Sequence, residues 1–234
     1  HCLPGHRKAR CMTLFAWPKA AAFERMVPKR KIYEHGAVGS ALKERFVQQV
    51  EQITWAYKLA PETVNLPPTE AVREIQVFHI VLKGTELDWD ILKTIDYAIP
   101  FPLIFELMQG ERIKVGAAYK RLPQNLNSKN DNSCSIVGNY LETNWYPRDT
   151  PRQSLPVALD MNGLYEKLLL HTMPIPARSE ESLVDAVGRV EQLRAKQREI
   201  DKITARLKRE KQFNRKVDMN AELRRMKAEL ERLK

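Results

Sequence analysis

Between Lys202 and Lys216 the chain carries Lys202, Arg206, Lys208, Arg209, Lys211, Arg215 and Lys216, seven cations against the single acid Glu210. Cations at this density bind phosphates, releasing the counterions condensed on a nucleic acid, or pair with an acidic protein surface. On a helix, Lys208, Lys211 and Arg215 recur at spacings of three and four and share a face, with Phe213 inside the run. These seven are the candidate nucleic-acid-binding or partner-binding residues. The competing reading is a solvated coiled-coil surface without a ligand.

Catalytic chemistry finds less support. Restriction-type nucleases use a small mixed sheet flanked by helices, with carboxylates at strand ends that hold a metal and polarise a water. The matching place here reads Ala118-Tyr119-Lys120, with Ala118 where the carboxylate would stand. Asp88, Asp90 and Glu106 remain as ligands for an atypical metal site. The plainer reading puts Asp88 and Asp90 in the first turn of a helix, where they meet its dipole, and Glu106 on a sheet face. His79 lies within an apolar strand and reads as a satisfied sheet-face histidine. The sequence holds no Gly-rich phosphate loop and no nucleophile elbow. Cys2, Cys11 and Cys134 are odd in number and no pair has metal-ligand spacing, so neither a disulfide framework nor a zinc site is expected. No cofactor is expected.

The charge is distributed unevenly over the elements that must position these groups. Of the net +10, the segment from Arg189 to Lys234 contributes +8 and the first eleven residues +3, which leaves −1 for residues 12 to 188. A neutral body with a basic arm results. Residues 1–11 read as a disordered leader. No apolar run reaches the roughly 18 to 20 residues of a membrane span, and the start lacks the apolar stretch of a secretory signal. A cytoplasmic protein without membrane contact is the expectation.

Residues 12–172 read as an α+β body, a small mixed sheet with flanking helices. Ser40 caps a helix whose apolar face is Leu42, Phe46, Val50, Ile53 and Tyr57, ended by Pro61. Thr63 to Leu66 reads as a short strand. Glu74 to Lys83 is a strand covered on both faces. Thr85 with Asp88 resembles a capping box, and a helix with Leu87, Ile91, Ile95 and Ala98 on one face follows. Phe101 to Gln109 and Arg112 to Arg121 form a hairpin about Gly110. Leu122 to Ser133 is an exposed loop, Ser135 to Trp145 a strand, and Leu159 to Leu170 a helix.

Residues 173–180 form a proline-containing linker, and 181–234 a basic coiled-coil arm. Val190, Leu193, Ile200 and Leu207 make one heptad-like seam; Met219, Leu223, Met226, Leu230 and Leu233 make another, out of register with the first. Either the helix is continuous with a skip, or the chain turns near Asn214 to Asn220 and the seams pack as a helical hairpin. We favour the hairpin, because a stripe of Leu and Met needs burial. A homodimer through a parallel coiled coil would meet the same need.

Several stretches carry a family resemblance: FAWPKAAAFERMVPKRKIYE, ALKERFVQQVEQITWAYKLAPETVNL, AIPFPLIFEL with VGAAYKR, and REKQFNRKVDMNAELRRMKAELERL. Together they resemble a bacterial family, domain of unknown function 4391, over nearly the whole chain from Met12. The resemblance implies no activity and no site residues. Its genes resemble those beside helicases and DNA methyltransferases in restriction or phage-defence clusters, which implies a larger protein partner of that kind. The reading that follows is a non-catalytic accessory or adaptor subunit whose basic arm binds a protein partner, nucleic acid or both. The alternatives are a nuclease-like enzyme with an atypical metal site and a structural homodimer.

Overall fold

The computed structural model describes residues 14–36, 38–121, 135–178 and 180–234. The chain divides into two compact units, His1–Thr172 and Met173–Lys234. The leader, the Leu122 to Ser133 stretch and all three cysteines fall outside the described residues.

The first unit is α+β. Its elements are β1 (Leu14–Phe15), β2 (Ala22–Met26), α1 (Lys29–Gly36), α2 (Ser40–Gln49), β3 (Val50–Leu59), α3 (Pro61–Val64), β4 (Ile75–Leu82), α4 (Trp89–Ala98), β5 (Leu103–Gln109), β6 (Arg112–Arg121), β7 (Ser135–Glu142), β8 (Tyr146–Pro147), β9 (Arg152–Gln153) and α5 (Met161–Thr172). The main sheet runs β2-β3-β4-β5-β6-β7, with β8 paired to β6; β1 and β9 pair separately. All pairings in the main sheet are antiparallel except β4–β5, which α4 connects. The sheet is therefore mixed, and the parallel pair has the crossover connection that such neighbours need.

The faces follow from the period-2 alternation of strands. Phe78, Ile80 and Leu82 of β4 and Leu103, Phe105 and Leu107 of β5 lie on one face, packed with Phe46, Ile91, Leu92 and Ile95 of α2 and α4. Ile75 and Val77 are buried on the other, so β4 is apolar on both sides as its composition requires. Between β5 and β6, Gln109 pairs with Arg112. Gly110 takes φ +53, the left-handed conformation that a two-residue hairpin turn asks for.

The structure corrects the reading of residues 50 to 59. The Ser40 helix ends at Gln49, and Val50–Leu59 is a strand paired along β4. Its register slips between Val50 and Gln52 and again between Trp55 and Tyr57, each time adding one residue to β3. Each extra residue reverses the side-chain alternation. The buried positions are consequently Val50, Ile53, Ala56 and Leu59, a spacing of three. A twice-bulged strand thus imitates the apolar spacing of a helix. The β-branched and aromatic composition of Ile53, Thr54, Trp55 and Tyr57 was the better indicator. Residues 63 to 66 are corrected too. Pro61 opens a one-turn helix, and Asn65 closes it at φ +56. Asp88, rather than Thr85, caps α4, accepting from the Asp90 N–H at 2.9 Å.

The β6–β7 pairing is irregular between Ala117 and Tyr119, where β7 runs four residues, Leu141 to Val137, against two in β6. Such a break in the ladder leaves backbone groups that must find other partners when buried. The Tyr165 hydroxyl of α5 supplies both: it accepts from the Lys120 N–H at 3.0 Å and donates to the Ala118 carbonyl at 2.8 Å. The Lys120 side chain, 1% exposed, enters the end of α4. Its Nζ donates to the carbonyls of Asp96, Ile99 and Phe101 at 2.7, 2.7 and 2.8 Å and pairs with the Asp96 carboxylate at 2.9 Å. The Tyr140 hydroxyl donates to the other Asp96 oxygen. Burial pushes the Asp96 carboxyl above its usual value, opposed by the Lys120 charge.

The second unit is a helical hairpin of α6 (Leu183–Arg209) and α7 (Phe213–Leu233). Ser182 caps α6, its hydroxyl accepting from the Asp185 N–H at 3.2 Å. Ile200, Leu223, Met226 and Leu230 are buried together, flanked by Leu193, Ile203 and Leu207. The turn falls at residues 210 to 212, earlier than the Asn214 to Asn220 stretch expected to hold it. Turning there lets the two seams meet, and Asn220 is absorbed into α7 by a bond from its side-chain amide to the Lys216 carbonyl at 2.8 Å.

Replacing Lys120 by Ala leaves the Asp96 carboxylate and three carbonyls buried without their cation. We expect a loss of about 3–5 kcal/mol, the usual cost of breaking a buried ion pair from one side. Urea denaturation of the full chain measures it; a loss below about 1 kcal/mol, typical of an exposed pair, would show that Lys120 holds little.

Candidate functional site

The seven candidate cations are all exposed. Lys202, Arg206, Lys208 and Arg209 belong to the second half of α6, Lys211 to the turn, and Arg215 and Lys216 to the start of α7. The hairpin brings Arg206, Arg209, Lys211 and Arg215 around one shallow depression of about 440 Å³ at its tip, lined also by Glu210, Gln212 and Met219. Lys202, Lys208 and Lys216 are not part of that lining. The shared helical face expected for Lys208, Lys211 and Arg215 is therefore replaced by a cluster contributed by two helices and a turn. Sequence spacing cannot find such a cluster, because it presumes one continuous helix.

The local chemistry of the turn engages its one acid chiefly with backbone. Glu210 is the one acid among residues 202 to 216. Its Oε1 accepts from the N–H groups of Lys211 and Gln212 at 2.8 and 2.9 Å, and these bonds hold its pKa below the ordinary value. The carboxylate is thus committed to the backbone of the turn, and its closest cation is Arg215 at 4.0 Å. Gln212 occupies the N-cap position of α7, and its side chain does not cap the helix. Beside it stands Phe213, 77% exposed.

The opposite end of the hairpin is locked. Arg189, 5% exposed, donates to both oxygens of Glu181 at 2.7 Å, to the Pro176 carbonyl at 2.9 Å and to the Leu233 carbonyl at 3.1 Å. Linker, first helix and the end of the second meet on one guanidinium, whose planar fork suits several acceptors. Lys196 pairs with Glu229 at 2.7 Å further along.

The carboxylates considered for a metal site are separated by the sheet. Asp88 pairs with Arg45, which also lies 3.7 Å from Asp90, on the side of α2 and α4. Burial would raise the Asp88 pKa, but the Asp90 N–H and Arg45 outweigh it and hold it low. Glu106 lies on the other face, 1% exposed. It accepts from Trp17 Nε1 at 2.8 Å and from Arg152 at 2.7 and 3.3 Å, and its Oε2 is 3.0 Å from His79 Nε2. Burial opposes ionisation of Glu106, yet the bonds from His79 and Arg152 hold its pKa below the usual range. Arg152 also donates to the Phe15 carbonyl at 2.8 Å. This group fastens the β1 and β9 segments to the sheet. Its assembly from residues 17, 79, 106 and 152 was not legible in the sequence, where His79 and Glu106 were isolated sheet-face residues. Among the described residues no three His, Cys, Asp or Glu side chains gather as a metal-binding set. Lys120, the lysine of the nuclease pattern, is the buried clamp on α4.

The family model described as domain of unknown function (DUF4391) matches residues 15–230, so the chain belongs to that family. No curated protein and no solved structure matches it. Among the described residues no helix is long and apolar enough to cross a membrane.

The Arg189 lock is expected to be pH-dependent. The bonds from Arg189 hold the Glu181 pKa at about 2, against 4.5 ordinarily. A depressed carboxylate contributes stability above its unfolded pKa and loses it as pH falls through the folded one. In the full chain, Arg189→Met should lower the melting temperature at neutral pH, and the gap to the parent should shrink between about pH 4.5 and about pH 2. A gap that stays constant over that interval would show that the ion pair does not hold the hairpin's base.

Proposed function

We propose that this protein is a non-catalytic accessory subunit whose helical hairpin presents a basic tip to nucleic acid. The observation that carries the reading is the tip itself. Arg206, Arg209, Lys211 and Arg215 surround one depression, and the nearby acid is engaged by backbone N–H groups. Cations on a solvated coiled-coil surface are ordinarily interleaved with acids at spacings of three and four. Here the interleaving occurs toward the base, where Lys196 meets Glu229, and fails at the tip.

The α+β unit is the part assigned to a larger enzyme, such as the helicase or DNA methyltransferase that the family resemblance implies, in a restriction or phage-defence setting. A nuclease-like role is supported less well, since Asp88 and Glu106 lie on opposite faces of the sheet and each is committed to an arginine. The homodimer reading loses its main motive, because the apolar stripe is buried within one chain.

The test is salt dependence. Each phosphate contact on duplex DNA contributes about −0.9 to the slope of log affinity against log salt. Changing Arg209, Lys211 and Arg215 together to Gln should reduce the slope by about 3 units with the apolar seam untouched, so helix content holds. Fluorescence anisotropy over a salt series reads the slope, and circular dichroism reads the helix. A parent that fails to bind at low salt, or a triple variant with the parent's slope, would remove nucleic acid as the target of the tip.

A further inference from the structure

Phe213 lies outside the buried seam of the hairpin. It is the first residue of α7 and 77% exposed, while the seam is closed by Ile200, Leu223, Met226 and Leu230. Val217, one turn later on the same face and 51% exposed, is likewise outside the seam. Lys216, at i+3 from Phe213, shares that face, and Lys211 and Arg215 lie within two residues of it. An aromatic ring left in water amid cations has a specific complement. The partner must offer negative charge and flat π faces at close spacing.

We infer that the tip binds single-stranded nucleic acid, with Phe213 as the platform on which an unpaired base stacks and the surrounding cations on the flanking phosphates. The inference rests on the phosphate-binding reading of the tip and narrows its substrate class. In a duplex the base faces are already stacked on one another and closed to a side chain. In a single strand they are open, and stacking on an aromatic ring is tolerant of sequence because every base has a π face. An acidic peptide would satisfy the cations but needs no ring. Val217 extends the apolar surface along the helix, giving the base edge or sugar a contact on the far side of Lys216.

Three ligands of equal length separate the terms: an oligothymidine, an abasic oligomer that keeps the phosphates but lacks bases, and a duplex. The full-length parent should bind oligothymidine more tightly than the abasic oligomer. Phe213→Ala should weaken oligothymidine on the order of tenfold, the effect of one lost stack, and leave the abasic oligomer and the duplex unchanged. Phe213→Trp should retain the parent's affinity, which shows that a ring, not this particular side chain, is needed. If Phe213→Ala binds oligothymidine as the parent does, stacking is overturned while the basic tip stands. Equal losses on oligothymidine and abasic oligomer overturn it too, since the residue then shapes the tip. If the parent binds none of the three, the phosphate reading beneath the inference falls with it, and the tip belongs to a protein partner.

Discussion

A single ammonium group organises the first unit. Lys120 Nζ is the meeting point of β6, the end of α4 and the approach to β5, since its acceptors are the carbonyls of Asp96, Ile99 and Phe101. The last carbonyls of a helix have no partner within it. Here the cation serves that end of α4, where it also faces the negative pole of the helix. Desolvating a lysine this completely is costly unless every donor is used and a counter-charge is near. The Asp96 carboxylate, steadied by the Tyr140 hydroxyl, provides that charge. Next to this lysine the β6–β7 ladder is irregular, and Tyr165 satisfies the Lys120 N–H and the Ala118 carbonyl there. Four elements are thereby fixed to one another, among them α4, the crossover that makes the sheet mixed.

The second unit solves a different problem. Its helices are highly charged, and their seam is narrow, so apolar burial alone defines the packing weakly. Arg189 gives one end of the hairpin a fixed geometry by joining Glu181, Pro176 and Leu233. At the other end the turn is made by Glu210 acting on its own backbone. Glu181 and Glu210 are both engaged in these structural bonds. Glu210 reaches Arg215 only at 4.0 Å, and this weak opposition of the tip's cations is what supports the proposed ligand.

The Glu106 group shares its composition with active centres, and its contacts are structural ones. A buried carboxylate beside a histidine and an arginine is the composition of many catalytic sites. Every contact here, however, ties one segment of the first unit to another: Trp17 and Phe15 from the start of the unit, Arg152 from β9, His79 and Glu106 from neighbouring strands. Its low Glu106 pKa keeps the carboxylate charged, which suits a permanent acceptor for Arg152.

What the sequence determined by itself was whatever depends on short-range pattern. The β5–β6 hairpin followed from two apolar runs about Gly110, the two-sided burial of β4 from its continuous composition, and the basic run and its missing counter-charges from counting. The α+β class followed from these. Three things were decided only by tertiary structure. Bulges in β3 gave Val50, Ile53, Ala56 and Leu59 a helix-like spacing that only the pairing with β4 exposes as a strand. The position of the arm's turn depended on which register lets Leu193, Ile200 and Leu207 meet Leu223, Met226 and Leu230, a choice made between helices. The roles of Lys120 and Glu106 depended on partners distant in the chain, since Lys120 reaches back to Asp96 and Glu106 on to Arg152. Periodicity records the faces of one element; it carries no information on which faces meet, and both the clamp and the tip are made where they do.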